Sequence, residues 1–171
     1  MIPTLTTERL TLRAPRLSDL DAYAAFRASD RARFVGGPNT RAEAFQHLCG
    51  VIGHWELRGF GRWIVTETGV DAPIGIVGLL YPEGWPEPEI AWSMFDGSEG
   101  KGYAYEAATA ARAHAYGPAG WTTAISLVDP DNTRSLALAR RMGCTPGGIH
   151  QSDIFGTMLI QRHPAPSETA P

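Results

Sequence analysis

Cysteine is scarce in this 171-residue chain, with only Cys49 and Cys144. A small secreted domain that leans on disulfides carries more. The two have no CxxC spacing and no histidine cluster, so no structural zinc site or other metal is expected. Two buried, reduced thiols are the expectation. An excess of basic charge is also missing: 15 Lys and Arg face 18 Asp and Glu, a formal charge of −3. Such a chain lacks the broad positive field of a nucleic-acid or anionic-membrane binder, although a local basic patch is compatible with it. Long apolar runs are missing too. The longest, Pro73 to Tyr81, falls far short of the ~20 residues of a membrane helix. The opening Met1-Ile2-Pro3-Thr4-Leu5 has no basic segment leading into an apolar one, so no signal peptide is expected. The chain reads as a cytoplasmic protein with no nucleic-acid or membrane partner.

What is present suits one folded domain. Hydrophobic residues make up 43% and charged residues 19%, an ordinary globular balance that is far from a disordered one. A single domain is expected over residues 1–163. The tail 164–171 holds three prolines and no large apolar residue, and is expected to be disordered. Glycine is plentiful at 19, so many backbone positions need positive φ or close approach.

Periodicity gives an element order. Arg9 to Arg13 alternates as a strand. Ser18-Asp19-Leu20-Asp21 opens a helix to about Asp30, and the capping box Thr40-Arg41-Ala42-Glu43 opens a second to about Leu57. Strands follow at 62–66, 74–81 and 89–95, the last two joined by the turn Glu83-Gly84-Trp85-Pro86. A long alanine-rich helix spans Tyr103 to Tyr116. A strand at 122–128, a helix from Asp131-Asn132 to Met142 and two closing strands complete the chain. Three central strands without helices argue for an antiparallel meander, followed by βαβ crossovers in a mixed sheet.

Chemistry concentrates in Glu89 to Ala107, where a strand runs through a glycine-rich turn into a helix. The first turn of a helix has amides without intrahelical partners and a partial positive charge. Gly100 and Gly102 let a phosphate approach that backbone, and Lys101 adds charge. A Walker A loop fails, because Gly102 follows Lys101 and Phe95 stands where the first glycine belongs. A dinucleotide fingerprint fails at Tyr105. A glycine turn of this kind also suits a plain strand-to-helix stop.

The stretch Glu89 to Ala104 resembles, without a gap, the acetyl-CoA segment of the GNAT N-acetyltransferases. The branch most resembled is a bacterial-type one that includes the ribosomal-protein N-terminal acetyltransferases. The family's phosphate loop falls on Glu99-Gly100-Lys101-Gly102-Tyr103-Ala104, with Glu99 replacing the usual Gln, Arg or aromatic residue. Asp129 to Ser135, leading to Met142-Gly143-Cys144, resembles the family's next strand end and helix. Thr7-Glu8-Arg9-Leu10-Thr11-Leu12-Arg13 resembles its opening.

The resemblance implies an α+β, mixed α/β GNAT fold. A central, mostly antiparallel sheet of about seven strands would carry about four helices and splay between the 89–95 and 122–128 strands. Acetyl-CoA is the implied cosubstrate. The amides of Trp92, Met94 and Phe95 would serve it in the split, and Glu99, Gly100, Lys101, Gly102, Tyr103 and Ala104 its pyrophosphate. Asn132 would meet the pantetheine arm, although a plain helix N-cap also explains it. Ser135 is the implied acid for the departing sulfur, since the tyrosine that many members use there is Ala139. A protonated amine does not attack, so a base is needed at pH 7. Glu89 is the implied base, with a solvated carboxylate at a strand start as the other reading. His54, His150 and Asp153 are weaker candidates. Trp85 and Arg33 would face the acceptor, a peptide N-terminus or a small amine. The function implied is direct acetyl transfer to a primary amine by a monomer or homodimer. The other reading is a non-catalytic acyl-CoA-binding domain of the same fold.

Overall fold

Leu10 and Leu12 alternate with Thr11 and Arg13, and this alternation puts the second strand of the chain half into the core. A computed structural model describes residues 1–169, and among them eight strands form one sheet in the order β1-β2-β3-β4-β5-β6-β8-β7. The strands are β1 Leu5–Thr6, β2 Leu10–Arg13, β3 Arg62–Glu67, β4 Pro73–Leu80, β5 Glu89–Met94, β6 Ile125–Val128, β7 Thr145–Ser152 and β8 Gly156–Arg162. The helices are α1 Leu20–Ala28, α2 Arg41–Arg58, α3 Tyr103–Tyr116, α4 Thr133–Arg141 and α5 Pro166–Thr169. Neighbouring strands run antiparallel except β5 and β6. This is the mixed, mostly antiparallel sheet expected from the meander and crossovers.

Two layers of helix cover the sheet. On one face Tyr23, Ala24, Phe26, Ala44, Leu48 and Val51 of α1 and α2 pack on Ile64, Ile76 and Phe95. On the other, Ala107, Ala108, Ala111 and Ala115 of α3 pack on Trp63, Val65, Val77 and Leu79. Alanines along that face let α3 lie close against the strands. The α2 capping box forms as read: the Glu43 amide donates to Thr40 Oγ1 and the Thr40 amide to Glu43 Oε2.

Several details differ from the expectation. The short edge strand β1 and the one-turn α5 raise the counts to eight strands and five helices. Pairing of the sixth strand starts at Ile125 rather than 122. Cys144 is buried, but Cys49 lies exposed on α2. Within the tail, Pro166–Thr169 is helical, and residues 170–171 lie outside the described residues. Gly75, unexplained by the sequence pattern, has a steric cause: a Cβ there would stand 2.8 Å from Met94 Sδ and 2.9 Å from the Ser93 carbonyl oxygen.

Candidate active site

The site begins where the sheet divides. β5 and β6 share one register pair, Glu89 with Ile125, and diverge beyond it. Two side chains replace the ladder at that apex. The Leu127 amide donates to Glu89 Oε1 at 3.0 Å, and Ser126 Oγ donates to the Ile90 carbonyl at 2.6 Å. Antiparallel strands direct successive amides to opposite edges. The β4 register, together with the Phe95 amide bonded to the Ile74 carbonyl at 2.9 Å, aims the Ala91 and Ser93 amides at β4. Those of Trp92 and Met94 point into the split. Phe95 therefore does not supply a ladder donor to the split, which corrects the expectation for it.

Glu89 is 5% exposed, which removes the reading of a solvated strand-start carboxylate. The Trp85 indole donates to its Oε2 at 2.5 Å. Burial pushes the carboxyl up to about 7, against the lowering pull of the Trp85 and Leu127 donors and the Arg62 charge. A carboxyl that titrates there is matched to proton transfer at neutral pH. Trp85 thus meets Glu89, and its ring packs edge-on against Phe155 of the β7–β8 hairpin, 5.9 Å between centroids.

Ser135 lies at the other face of the split. Trp92 Nε1 donates to Ser135 Oγ at 3.2 Å. Asn132 is the N-cap of α4, its Oδ1 accepting from the Ser135 amide at 3.2 Å. The cap accounts for Oδ1 and leaves the side-chain NH2 as the group able to reach a ligand. Ala139 is fully buried in the core behind them.

At the mouth of the split, Gly100 (φ 75°) and Gly102 (φ 81°) are left-handed, and Gly102 caps α3 without any side chain. A glycine cap leaves the amides of the first turn open to an anion. A cleft of about 660 Å³ opens beside them, bordered by Arg9, Lys101 and Arg141. Glu99 does not face this turn as a bare charge: Arg31 pairs with its carboxylate and also donates to the Met94 carbonyl at 3.2 Å. The Glu99 carboxyl is lowered by its own backbone amide and by Arg31. Lys101 is exposed, with Nζ 5.8 Å from the Tyr103 ring, and the Tyr103 hydroxyl donates to Glu67 at 2.8 Å. Ala104 follows, half-buried in the first turn of α3.

Other predicted residues fall elsewhere. Arg33 is exposed and stacks on Phe34, 4.4 Å from the ring centroid. His54 is a staple: Nε2 accepts from the Tyr81 amide at 3.0 Å, so Nδ1 carries the proton donated to the Phe60 carbonyl at 2.7 Å. His150 and Asp153 lie on the β7–β8 hairpin. Sequence reading missed Ser126, His163 and Arg31. His163 Nε2 lies 3.0 Å from Ser126 Oγ, and Nδ1 lies 3.4 Å from Arg112 Nη1. Arginine only donates, so Nδ1 accepts and Nε2–H supports Ser126. Burial, helped by Arg112, takes this imidazole down to about 3, so it stays neutral. No spacing rule marks these residues, because each acts across the fold on another segment.

A mostly antiparallel sheet split at its one parallel pair, with a glycine turn leading into the next helix, is the mixed α/β fold of an acetyltransferase. The chain belongs to the GNAT acetyltransferase family, whose acetyltransferase domain matches residues 9–145. An acetyltransferase from Agrobacterium tumefaciens str. C58 is 35% identical, with 96% of this chain and 95% of that one covered at a TM-score of 0.88. A GNAT-family acetyltransferase from Bordetella pertussis is 25% identical, with 95% and 99% covered at 0.79. RimL, a ribosomal L7/L12 alpha-N-protein acetyltransferase whose structure holds coenzyme A, shares the fold at 17% identity, with 94% and 97% covered at 0.76.

Proposed function

We propose that the chain transfers an acetyl group from acetyl-CoA directly to a primary amine. The observation that carries this is the buried Glu89 carboxyl, titrating near 7 at the apex of the split. The residues present fit the cosubstrate: Gly100, Lys101 and Gly102 would hold its pyrophosphate, and the Trp92 and Met94 amides and Asn132 its pantetheine arm. When bound, acetyl-CoA supplies an activated thioester carbonyl. Glu89, reached directly or through one water, takes the proton from the incoming ammonium and releases it to solvent. The amide of Trp92 or Met94, fixed in the strand, donates to the developing oxyanion; such a donor contributes about 3 kcal/mol. Ser135 relays to the departing sulfur the proton that the attacking nitrogen sheds as the amide forms, so its hydroxyl is restored, and its oxygen stays held by the Trp92 indole. Neither cysteine has a histidine partner among the described residues, and burial raises the Cys144 thiol to about 11. A covalent thiol route is therefore disfavoured.

The test is thiol release from acetyl-CoA across a panel of peptides, amino acids, polyamines and aminoglycosides. Turnover on at least one amine is the expected result. Thermal stabilisation by coenzyme A with no turnover on any amine replaces this reading with acyl-CoA binding alone. No stabilisation at all removes both.

A further inference from the structure

A second pocket, of about 410 Å³, lies on the face of the sheet that carries Glu89, between α2 and the ends of β3 and β4. Its walls include Asn39, His47, Arg62, Leu80 and Pro82. Arg62 stands opposite Gly78, and Gly78 opposite Ala91, so the three share one row across the sheet. Residues directly opposite point to the same face, as do residues two apart on a strand. Arg62 and Glu89 therefore share a face, two strands and two residues apart, about 12 Å between Cα atoms. Gly78 and Ala91 complete the row of Arg62, and Leu80 stands opposite Glu89 in the next row on that face. The Arg62 charge acts on the Glu89 carboxyl through space, in the lowering direction.

Two guanidiniums, Arg62 in the wall and Arg27 behind His47, stand against one carboxylate, Glu43, so the region carries a net positive charge. Among the described residues neither Arg62 nor Arg27 forms an ion pair with a carboxylate. Arg27 is 4% exposed and donates to the Val35 carbonyl at 2.8 Å and to His47 Nε2 at 3.2 Å. Its Nε is buried without a partner, and so is Asn39 Oδ1. Accepting from Arg27 keeps His47 unprotonated at that nitrogen. The Glu43 carboxylate accepts from the Thr40 amide at 2.7 Å and the Thr40 hydroxyl at 2.9 Å, bonds that fix its position and keep its charge in place. A guanidinium taken out of water with no anion beside it is costly, and an anionic ligand offsets that cost.

Resting on the acetyltransferase reading above, we infer that this pocket selects the acceptor: an amine that carries its own carboxylate, which Arg62 receives while the amine faces Glu89. The volume suits an amino-acid-sized group. Two sources share that chemistry, a free amino acid and the first side chain of an acidic peptide.

The experiment uses matched pairs with the full chain: glutamate against its diamide, and tripeptide amides that begin with Glu against those that begin with Gln. The anionic member of at least one pair is expected to have a kcat/KM at least about tenfold higher, a preference that shrinks as salt rises. Which pair responds distinguishes the two sources. Arg62→Gln is expected to collapse the ratio towards one, with thermal stabilisation by coenzyme A reporting that the variant is folded. Independently of turnover, glutarate is expected to raise the Tm of the wild-type chain and not of Arg62→Gln. Equal or reversed preference in the wild type overturns the inference and leaves the acetyltransferase reading standing. So does a preference that survives Arg62→Gln, or glutarate stabilisation that is the same in both chains. Absence of turnover on every amine removes the acetyltransferase reading instead, and the acceptor assignment with it.

Discussion

The Trp92 indole nitrogen and the Ser135 hydroxyl oxygen are 3.2 Å apart, across the gap between β5 and α4. An indole N–H only donates, so the serine oxygen is the acceptor and its own proton is directed elsewhere. Ser135→Ala is expected to lower kcat about 10²-fold, the lower end for a lost acid–base group. KM for acetyl-CoA should change little. Steady-state kinetics checks the split; an unchanged kcat removes the acid role.

In the proposed mechanism Glu89 is expected to give the pH profile its acidic limb. A base active as carboxylate, titrating at about 7, makes kcat/KM rise with pH up to that value and level off above it. Glu89→Gln should abolish this limb and lower the plateau by at least 10²-fold, roughly the contribution of a general base.

The same group affects stability with the opposite sign. Its folded value, about 7, lies above the ordinary 4.5, so the folded state binds the proton more tightly. Its contribution is complete below pH 4.5 and is lost as pH rises to about 7, by roughly 3 kcal/mol. Urea denaturation at pH 5 and pH 8 should show the wild type losing more stability than Glu89→Gln does.

Arg31 offsets the Glu99 carboxylate beside the Gly100–Gly102 turn. Arg31→Ala leaves Glu99 unpaired there, and KM for acetyl-CoA is expected to rise about tenfold, about 1.4 kcal/mol. In a Glu99→Gln background the same change should cost much less. A double-mutant cycle measures that difference; additive effects exclude the compensation.

Asp19 is 1% exposed and takes two bonds from Arg13, at 2.7 and 2.9 Å. Asp19→Ala leaves the mostly buried Arg13 guanidinium with Asp71 alone as its carboxylate partner, at 2.7 Å, and is expected to destabilise the fold by about 2 kcal/mol for the lost charged hydrogen bonds. Denaturant midpoints at constant m check this, and no change in acetyl-CoA affinity should accompany it.

Local chemistry made much of this legible. The Thr40 box, the span of α3 and the Gly100–Gly102 turn follow from rules that act within a few residues, and the structure repeats them. Glu89 was visible as a strand-start carboxylate, but its burial was not, because burial comes from Trp85 and β6 folding over it. Ser126, His163 and Arg31 stayed hidden for the same reason: each partner is distant in sequence, 36 residues away for the Ser126 hydroxyl and Ile90. The sequence reading picks Arg33 and passes over Arg31. Which of the two turns inward is decided by the short 3₁₀ segment Asp30–Val35 that carries both.

The replaced ladder bonds at the apex carry one more consequence. Parallel strands left to themselves continue to pair, and closing β5 onto β6 would bring them to about 4.8 Å and erase the slot. Glu89 and Ser126 occupy the Leu127 donor and the Ile90 acceptor with which that closure would begin. The opening is thus held by a stop built into the strands, not by loop flexibility. Removing both side chains should let the sheet seal itself against its own ligand.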